Sequence, residues 1–488
     1  MNREFNIKFI LKILGSLLIV ESLFFILAIP VDLYYQENTY IHFLTSAFIA
    51  LSLGTTGIIL GRNARPTIGK REGSLIVTLT WIIFSAVGML PYLFTGSIPR
   101  VADAFFETMS GFTTTGSTIL NNIESLPHAV LYWRSITHWI GGLGIIVISM
   151  ALLPVFGFSA FQVFSAEATG PTKDKIHPKI GETAKRLLLI YIALTLSETL
   201  LLKVAGMSWF DALCHSFSTI ATGGFSTKQA SIAHYNSPFI EYIIIFFMIF
   251  SGVNFSLYYF LFKMKMNKVF KNEELRTYLL IIICFTFIFV VTRFDYSTFS
   301  FGNIEKVVRD SLFVVSSTIS TTGFVTVDYN FWPPFTWFLV LILMIFGSSA
   351  GSTAGGMKII RVLLSLKYSY YEFKRIIHPN AIFPVRYNGH VLEESVITRV
   401  LAFVILYIIV LVIGTVMLSF TGLGFVESLS AQITSLSNVG PGLSKLGPVF
   451  SFSEIPDISK WMLSFSMLVG RLELFTVLLL FTPVFWKK

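Results

Sequence analysis

The sequence predicts an all-α polytopic membrane protein with ten transmembrane helices, and three observations favour this fold class. Of the 488 residues, 54% are hydrophobic and 13% are charged, whereas soluble chains carry roughly 25% charged residues. Several apolar runs reach the ~20 residues that a spanning helix requires. One spacing between an acidic residue and a glycine also recurs four times along the chain.

The apolar runs place the ten helices as follows. The first run begins near Lys8 and is too long for the apolar region of a signal peptide, so we interpret it as a spanning helix. The predicted spans are 8–30, 42–61, 74–97, 129–153, 186–206, 238–262, 277–292, 335–366, 396–420 and 461–485.

Basic residues predict the orientation of these helices. Most of the 36 Lys and Arg lie before the first span, after the even-numbered spans up to the eighth, or at the C-terminus. The segment at 173–186, after the fourth span, is one of these basic segments. By the positive-inside rule both termini are then cytoplasmic. The net charge of +9 is explained by this orientation signal and by attraction to anionic lipid, so it does not indicate a nucleic-acid partner.

The repeated spacing is the most informative feature of the chain. An acidic residue stands thirteen positions before a glycine that ends a short Thr- or Asn-containing run, and each copy lies in a predicted external connection. The four pairs are Asp103 and Gly116, Asp211 and Gly224, Asp310 and Gly323, and Glu427 and Gly440. The chain therefore divides into an N-terminal helix pair and four tandem units of the type helix, short segment, helix.

The chemistry of the repeated segment favours a cation. The ten or so residues from Asp103 to about Thr113 suffice for a helix of roughly 15 Å, half a bilayer. An acid suits the start of such a helix, and its negative C-terminal end then favours a cation at the membrane midplane. Glycine allows four extended segments to approach one axis, where backbone carbonyls replace the water around K⁺.

These arguments predict four helix–pore loop–helix repeats around one pore. The predicted domains are a two-helix membrane domain at 1–72 and pore repeats at 73–184, 185–275, 276–392 and 393–488. Two cysteines, Cys214 and Cys284, argue against a disulfide framework or a metal cluster.

The eighth span is interrupted by residues 347–358, GSSAGSTAGGMK, which we call the central loop. Each glycine costs a helix interior about 1 kcal/mol, so this stretch favours a flexible break. Two alternatives remain. Gly347, Gly351 and Gly355 also form the small-residue spacing of packed helices, and residues 347–351 match the G-x-S-x-G motif of serine hydrolases. In a hydrolase, Ser349→Ala would abolish the activity and spare K⁺ flux.

The charged residues inside predicted spans include Arg471, Glu21 and Glu198. Arg471 is too far from Lys460 and Lys487 to reach either surface easily, and a buried cation costs about 2.5–3.5 kcal/mol on the insertion scale. It therefore requires either a watery cavity or a buried acid, for which Glu473 is poorly placed. For Glu21 and Glu198 we predict only interhelical hydrogen bonds.

The four segments resemble those of the Trk/Ktr/HKT superfamily of potassium transporters, most closely its bacterial TrkH-type members. HWIGGLGIIV at 138–147, GPTKDKIHPKIGETAK at 170–185 and RIIHPNAIFPV at 375–385 are also similar to that family. The additional helix pair at 1–72 favours the TrkH type over Ktr-type subunits. The resemblance implies an ion filter and a gate. The implied filter residues are Thr114, Thr115, Gly116, Thr222, Gly223, Gly224, Thr321, Thr322, Gly323, Asn438, Val439 and Gly440.

The resemblance also implies how the filter selects and how the pore is gated. Glycine at all four positions is the K⁺-selective pattern, whereas Na⁺-selective plant relatives carry Ser in place of the first glycine. The fourth segment departs from the others, since Asn438-Val439 replaces Thr-Thr and Pro441 follows. The implied gate is the central loop, with Gly347, Gly351, Gly355 and Gly356, together with Arg471 in the pore lining below the filter.

The function implied is K⁺ uptake across the bacterial inner membrane, without enzymatic activity. The alternatives are a Na⁺- or H⁺-coupled symporter, which also uses broken helices, and a remote intramembrane serine hydrolase. The resemblance implies a homodimer and a cytoplasmic nucleotide-binding regulatory subunit of the TrkA type. The chain has no nucleotide-binding motif, so we expect no cofactor in it and K⁺ as the transported ligand.

Overall fold

The computed structural model describes residues 6–64, 69–151, 180–293 and 301–486. Within these residues the only β-structure is a hairpin of Arg386–Tyr387 and His390–Val391. Asn388 and Gly389 both have positive φ, 48° and 80°, which suits a two-residue type I′ turn. The predicted all-α membrane class is confirmed. The predicted motif at 170–185 lies mostly outside the described residues.

The described helices range from long apolar helices to single turns. The longer helices are Ile7–Tyr35, Tyr40–Leu60, Lys70–Gly88, Val101–Phe112, His128–Ala151, Ile180–Val204, Trp209–Ile220, Pro238–Ser251, Phe255–Phe262, Glu273–Arg293, Phe301–Ile319, Pro334–Phe346, Ile359–Ile377, Glu394–Ser419, Phe425–Ser437 and Asp457–Arg471. Four short α-helices of four or five residues lie at Leu90–Phe94, Met266–Phe270, Phe475–Leu478 and Pro483–Trp486, and four 3-10 helices lie at Ser231–Tyr235, Tyr329–Phe331, Ser444–Leu446 and Leu479–Phe481.

The number of spans differs from the simple prediction of ten. In the described part of the chain, six helices are long and apolar enough to cross a membrane, or up to eight if each of two bent pairs counts as one span. The other two predicted spans correspond to His128–Ala151 and to the interrupted segment from Pro334 to Ile377. The exact count of ten therefore stays a prediction.

Two predicted continuous spans, 238–262 and 461–485, are sharply bent. The first bends by 97° between Ser251 and Phe255, and the second by 112° between Arg471 and Phe475. Glu473 and Leu474 have positive φ in the second break, which a helix does not tolerate. Hydropathy detects the composition of an apolar run and carries no information on its direction, so the sequence prediction missed both bends.

The N-terminal helix pair, Ile7–Tyr35 and Tyr40–Leu60, packs at very short range. A Cβ atom on Gly15 would lie 2.5 Å from the carbonyl oxygen of Gly54, and one on Gly54 would lie 2.8 Å from that of Gly15. Small residues allow such close approach, which drives helix association in lipid. Asp32 closes the turn, since Thr39 and Tyr40 donate backbone hydrogen bonds to its carboxylate at 2.9 and 3.0 Å.

Each unit contains one helix that ends just before its glycine, of 12 or 13 residues in three units and 19 in the third, and we call these four the half-helices. They are Val101–Phe112, Trp209–Ile220, Phe301–Ile319 and Phe425–Ser437. Twelve residues extend about 18 Å, close to the predicted half-bilayer length. In three of them the acid lies in the first turn. In the third half-helix Asp310 does not lie in the first turn, because that helix starts nine residues earlier. The predicted interaction of the acid with the positive end of the helix dipole is therefore wrong for this unit.

The half-helices lie in the interior of the protein rather than against lipid. Every residue of the first half-helix from Phe106 to Phe112 is buried, and so is every residue of the fourth from Ser430 to Ser437. Many of these side chains are Ser or Thr. Non-spanning backbone with polar side chains is tolerated at membrane depth only where protein or a cavity surrounds it.

Candidate functional site

All four half-helices end with the same backbone turn. In the first, Thr114 donates its N–H to the Gly111 carbonyl at 3.0 Å, and Thr115 donates to Ser110 at 2.8 Å. This pair of bonds defines a Schellman cap, whose first residue beyond the helix is left-handed. The equivalent residues are all left-handed, with φ of 52° at Thr114, 58° at Thr222, 56° at Thr321 and 55° at Asn438.

The left-handed conformation is unusual for the three threonines. A β-branched residue with positive φ is a genuine outlier, and such conformations cost about 1–3 kcal/mol and cluster at functional sites. Asn tolerates this conformation far better. The fourth segment, whose Asn438 departs from the threonine pattern, therefore adopts the shared turn with the residue best suited to it.

The glycines at the predicted spacing have positive φ as well, 83° at Gly116, 81° at Gly224, 78° at Gly323 and 112° at Gly440. We call the residues from each left-handed turn to two positions beyond its glycine the glycine segments, 114–118, 222–226, 321–325 and 438–442. All the predicted filter residues lie in these four segments, and the structure brings the segments together.

The four glycine segments close into a ring. A Cβ atom on Gly116 would clash with the carbonyl oxygen of Gly223, one on Gly224 with that of Thr322, and one on Gly323 with that of Val439. The last contact returns to the start, since a Cβ on Gly440 would lie 2.9 Å from the Thr115 oxygen. Each glycine thus faces the carbonyl that precedes the next glycine, and at Gly116, Gly224 and Gly323 a side chain has no room beside that carbonyl.

The ring opens on one side into a small cavity. This cavity, of about 70 Å³, is lined by all four glycines together with Ser117, Thr118, Arg134 and Phe225 among others. The acidic residues of the repeated spacing do not line it. The cavity is therefore lined by backbone, by neutral side chains and by the cations Arg134 and Lys228, and not by the four carboxylates.

The four acids anchor the half-helices instead. Asp211 accepts a hydrogen bond from the Thr227 hydroxyl at 2.6 Å, and Glu427 accepts one from Ser444 at 2.6 Å. Both donors lie just after the glycine of the same unit, so each bond connects the start of a half-helix to the chain that follows its glycine. Asp103 pairs with Lys460 at 2.5 Å, and Asp310 pairs with Arg293 at 3.3 Å.

The central loop lies against the C-terminal ends of three half-helices. The Thr353 hydroxyl donates to the Ile220 carbonyl at 3.0 Å, and the Ser348 hydroxyl donates to that of Ile319 at 2.8 Å. The Gly355 N–H donates to the Thr321 hydroxyl at 2.7 Å, and a Cβ on Gly355 would clash with the Ser437 carbonyl. The loop therefore covers this side of the ring.

The structure decides between the interpretations of the central loop. Residues 347–358 are not helical, so the packed-helix interpretation of Gly347, Gly351 and Gly355 is wrong. Gly347, Gly351 and Gly356 instead have positive φ, 63°, 76° and 72°. A nucleophile elbow requires a preceding strand, whereas a helix, Pro334–Phe346, precedes this motif.

Arg471 joins the central loop to the first unit. Its guanidinium donates to the Thr353 carbonyl at 2.6 Å and to the Gly141 carbonyl at 3.1 Å. A Cβ on Gly141 would in turn clash with the carbonyl of Phe112, the last residue of the first half-helix. Among the described residues no acid forms an ion pair with Arg471, and Glu473 pairs with Arg361 at 2.5 Å.

Two other buried acids, Glu21 and Glu198, differ in their contacts with neighbouring helices. Glu21 is 1% exposed and lies beside Gly88, and its carboxylate has no hydrogen-bond partner in the described chain. Glu198 is fully buried and faces Thr219 of the second half-helix without a well-formed hydrogen bond. Glu21 therefore lacks the predicted interhelical hydrogen bond, whereas Glu198 is placed against a hydroxyl of a neighbouring helix, as that prediction requires.

Sequence reasoning also missed two sets of side-chain contacts beside the ring. Asn438 donates to the Thr115 hydroxyl at 2.9 Å and to the Met467 carbonyl at 3.0 Å, which ties the fourth segment to the first. Glu107 and Arg134 form a fully buried ion pair at 2.8 Å. The charges of Glu107 and Arg134 within apolar segments were a signal that each needs a partner. Their pairing could not be predicted, because they are 27 positions apart and no helical or strand periodicity relates them.

The fold and the site together define an all-helical membrane protein in which four repeated half-helices surround one ring of glycines. The sequence profile of the TrkH family, described as cation transport protein, matches residues 40–488. The chain is 39% identical over 487 residues to the Trk system potassium uptake protein TrkH of Escherichia coli K12, which covers 99% of this chain and 100% of the relative.

A second relative and a solved structure agree with this match. The TrkH protein of Halomonas elongata is 37% identical over 494 residues, with 99% of this chain and 100% of the relative covered. The crystal structure of the potassium transporter TrkH from Vibrio parahaemolyticus superposes with a TM-score of 0.90, at 36% identity and with 99% and 100% of the two chains covered. The chain belongs to the TrkH family of cation transport proteins.

Proposed function

We propose that this protein takes up K⁺ across the bacterial inner membrane through the ring of four glycine segments. The observation that carries the proposal is the closed order of the ring, in which each glycine faces the carbonyl preceding the next glycine. Rings of backbone carbonyls replace the hydration shell of K⁺ in selective pores. The relatives described above are named as potassium uptake proteins.

In this proposal K⁺ binds at the glycine segments and the chain itself needs no cofactor. The implied ligands are oxygens of Thr114, Thr115, Gly116, Thr222, Gly223, Gly224, Thr321, Thr322, Gly323, Asn438, Val439 and Gly440. The C-terminal ends of the four half-helices point to the same region and add a negative potential. Binding and release of K⁺ by such oxygens involve no covalent step, so the proposed activity is transport and not catalysis.

The central loop is the proposed gate. Its hydrogen bonds to Ile220, Ile319 and Thr321 cover the side of the ring opposite the cavity, so ions pass only when it moves. The loop begins and turns at Gly347, Gly351 and Gly356, which supply the conformational freedom for such a movement. Arg471 stabilises the closed position and places a positive charge below the ring.

The membrane potential supplies the driving force in this proposal. Moving one charge is worth about 2.3 kcal/mol per 100 mV, and a negative cell interior draws K⁺ inward. With both termini cytoplasmic, as the basic residues predict, the cavity beside the four glycines faces outward. We further propose a homodimer that docks a cytoplasmic regulatory subunit of the TrkA type, which supplies any nucleotide dependence.

The test is growth of a bacterial strain that lacks its own K⁺ uptake systems. Cells producing this protein are expected to grow at low external K⁺, where cells with the empty vector do not. Rescue has to respond to added K⁺ and not to an equal addition of Na⁺. Failure to rescue by protein that is present in the membrane would contradict the proposed function.

A further inference from the structure

Arg134 lies beside the ring, between the first and second glycine segments. Its side chain is 1% exposed, and its Nε atom donates to the Glu107 carboxylate at 2.8 Å, which is fully buried. A buried ion pair persists only where further hydrogen bonds offset the loss of water. The partners of these two residues therefore indicate what the pair does.

The carboxylate of Glu107 holds the outgoing end of the first glycine segment. It accepts the Thr118 hydroxyl at 2.9 and 3.0 Å and the backbone N–H of Ile119 at 2.9 Å. Thr118 lies two positions beyond Gly116. The first half-helix, which carries Glu107, is thus fastened to the chain that leaves its own segment.

The guanidinium of Arg134 reaches the second glycine segment at the same time. It donates to the Ser226 carbonyl at 3.0 Å, two positions beyond Gly224, and lies 4.1 Å from the centre of the Phe225 ring. A third bond goes to the Thr118 hydroxyl at 3.3 Å. One rigid planar group therefore spans two neighbouring segments at equivalent positions.

The other junctions between segments are tied by neutral groups. Ser117 donates to the Gly440 carbonyl at 2.9 Å between the first and fourth segments. Val325 donates to Ser231 at 3.2 Å between the third and second units, and Tyr329 donates to Gly442 at 3.0 Å between the third and fourth. In the described part of the chain, Glu107 and Arg134 are the only ion pair that forms hydrogen bonds directly to the glycine segments.

We infer that Arg134, oriented by Glu107, is a positioning residue that sets the separation of the first and second glycine segments and so contributes to cation selectivity. The inference rests on the proposed function. A carbonyl ring distinguishes K⁺ from Na⁺ by the position of its oxygens, so a shift of two segments alters the preference. Glu107 neutralises the guanidinium, which prevents Arg134 from repelling the transported ion.

The test measures the ratio of K⁺ to Na⁺ uptake in proteoliposomes containing the full chain. Arg134→Lys keeps the charge but loses the planar fork that reaches three partners. Glu107→Gln keeps the shape and removes the counter-charge. The double variant Glu107→Leu with Arg134→Met removes the pair as a unit, which buried pairs tolerate better than the loss of one partner.

We expect the K⁺ preference to fall on the order of tenfold in each folded variant, since small displacements at an active site have effects of this size or larger. Arg309→Gln is the matched control, because Arg309 is a buried arginine that pairs with Glu241 and makes no described hydrogen bond to a glycine segment. It is expected to keep the wild-type ratio.

Each outcome is informative. An unchanged ratio in the folded variants overturns the inference while leaving K⁺ uptake intact. A loss of folded protein in all three variants also overturns it, because the pair then acts on the whole fold. Absence of uptake by the wild type contradicts the proposed function instead, so the two failures are distinguishable.

Discussion

Serine in place of Gly224 is expected to remove most of the discrimination between K⁺ and Na⁺, and serine in place of Gly323 is expected to do the same. Both glycines have positive φ, and a Cβ atom on either would clash with a backbone carbonyl of the next segment. The strained backbone alone costs about 1–2 kcal/mol. A backbone carbonyl cannot rotate away as a side chain can, so the ring has to widen.

Gly440 provides the matched comparison for this prediction. Its φ of 112° is also positive, but an added Cβ would lie 2.9 Å from the nearest carbonyl oxygen, which a small shift relieves. The expected order is a loss of at least about tenfold in the K⁺ to Na⁺ permeability ratio for Gly224→Ser and a smaller loss for Gly440→Ser. Reversal potentials in planar bilayers measure both, and equal losses would contradict the ring geometry.

Removal of the Arg471 side chain is expected to raise K⁺ flux. In Arg471→Ala the central loop loses the bond at Thr353 and the first unit loses the one at Gly141. Hydrogen bonds from a charged donor contribute about 1.5–3 kcal/mol each, and 1.4 kcal/mol changes an equilibrium tenfold. The closed position of the loop is therefore destabilised enough for an increase in flux of about tenfold or more.

Arg309→Gln is the control for Arg471→Ala. Arg309 is 7% exposed and pairs with Glu241 and Glu305 at 3.3 Å each, and it makes no described bond to the central loop. Its replacement is expected to leave flux near the wild-type value in folded protein. A fall in flux in Arg471→Ala, with the protein intact by size-exclusion chromatography, would show that Arg471 supports conduction rather than closure.

The repeated spacing predicted the half-helices and the glycines because both are local. An acid thirteen residues before a glycine leaves room for one short helix and one turn, and the half-helices end where that argument places them. The left-handed threonines were not predictable in the same way. Thr disfavours positive φ, so only the packing of four units around one axis explains Thr114, Thr222 and Thr321.

Features that depend on distant parts of the chain were also missed. The bends at 251–255 and 471–475 lie in runs that remain apolar on both sides of the break. The order of contacts around the ring joins residues of different units, and the pairing of Glu107 with Arg134 joins two separate helices of the first unit. The sequence indicated that the central loop breaks the eighth span, but not that it lies against Ile220, Ile319 and Thr321.

The most direct test of the proposed filter is uptake of ⁸⁶Rb⁺ into proteoliposomes that hold a K⁺ gradient, with Na⁺ as competitor and Gly116→Ser beside the wild type. The account predicts that the wild type accumulates Rb⁺, that excess K⁺ blocks this uptake, and that Na⁺ blocks it only in Gly116→Ser. Absence of Rb⁺ uptake by the wild type, even with the central loop at 347–358 shortened, would contradict a pore built from the four glycine segments.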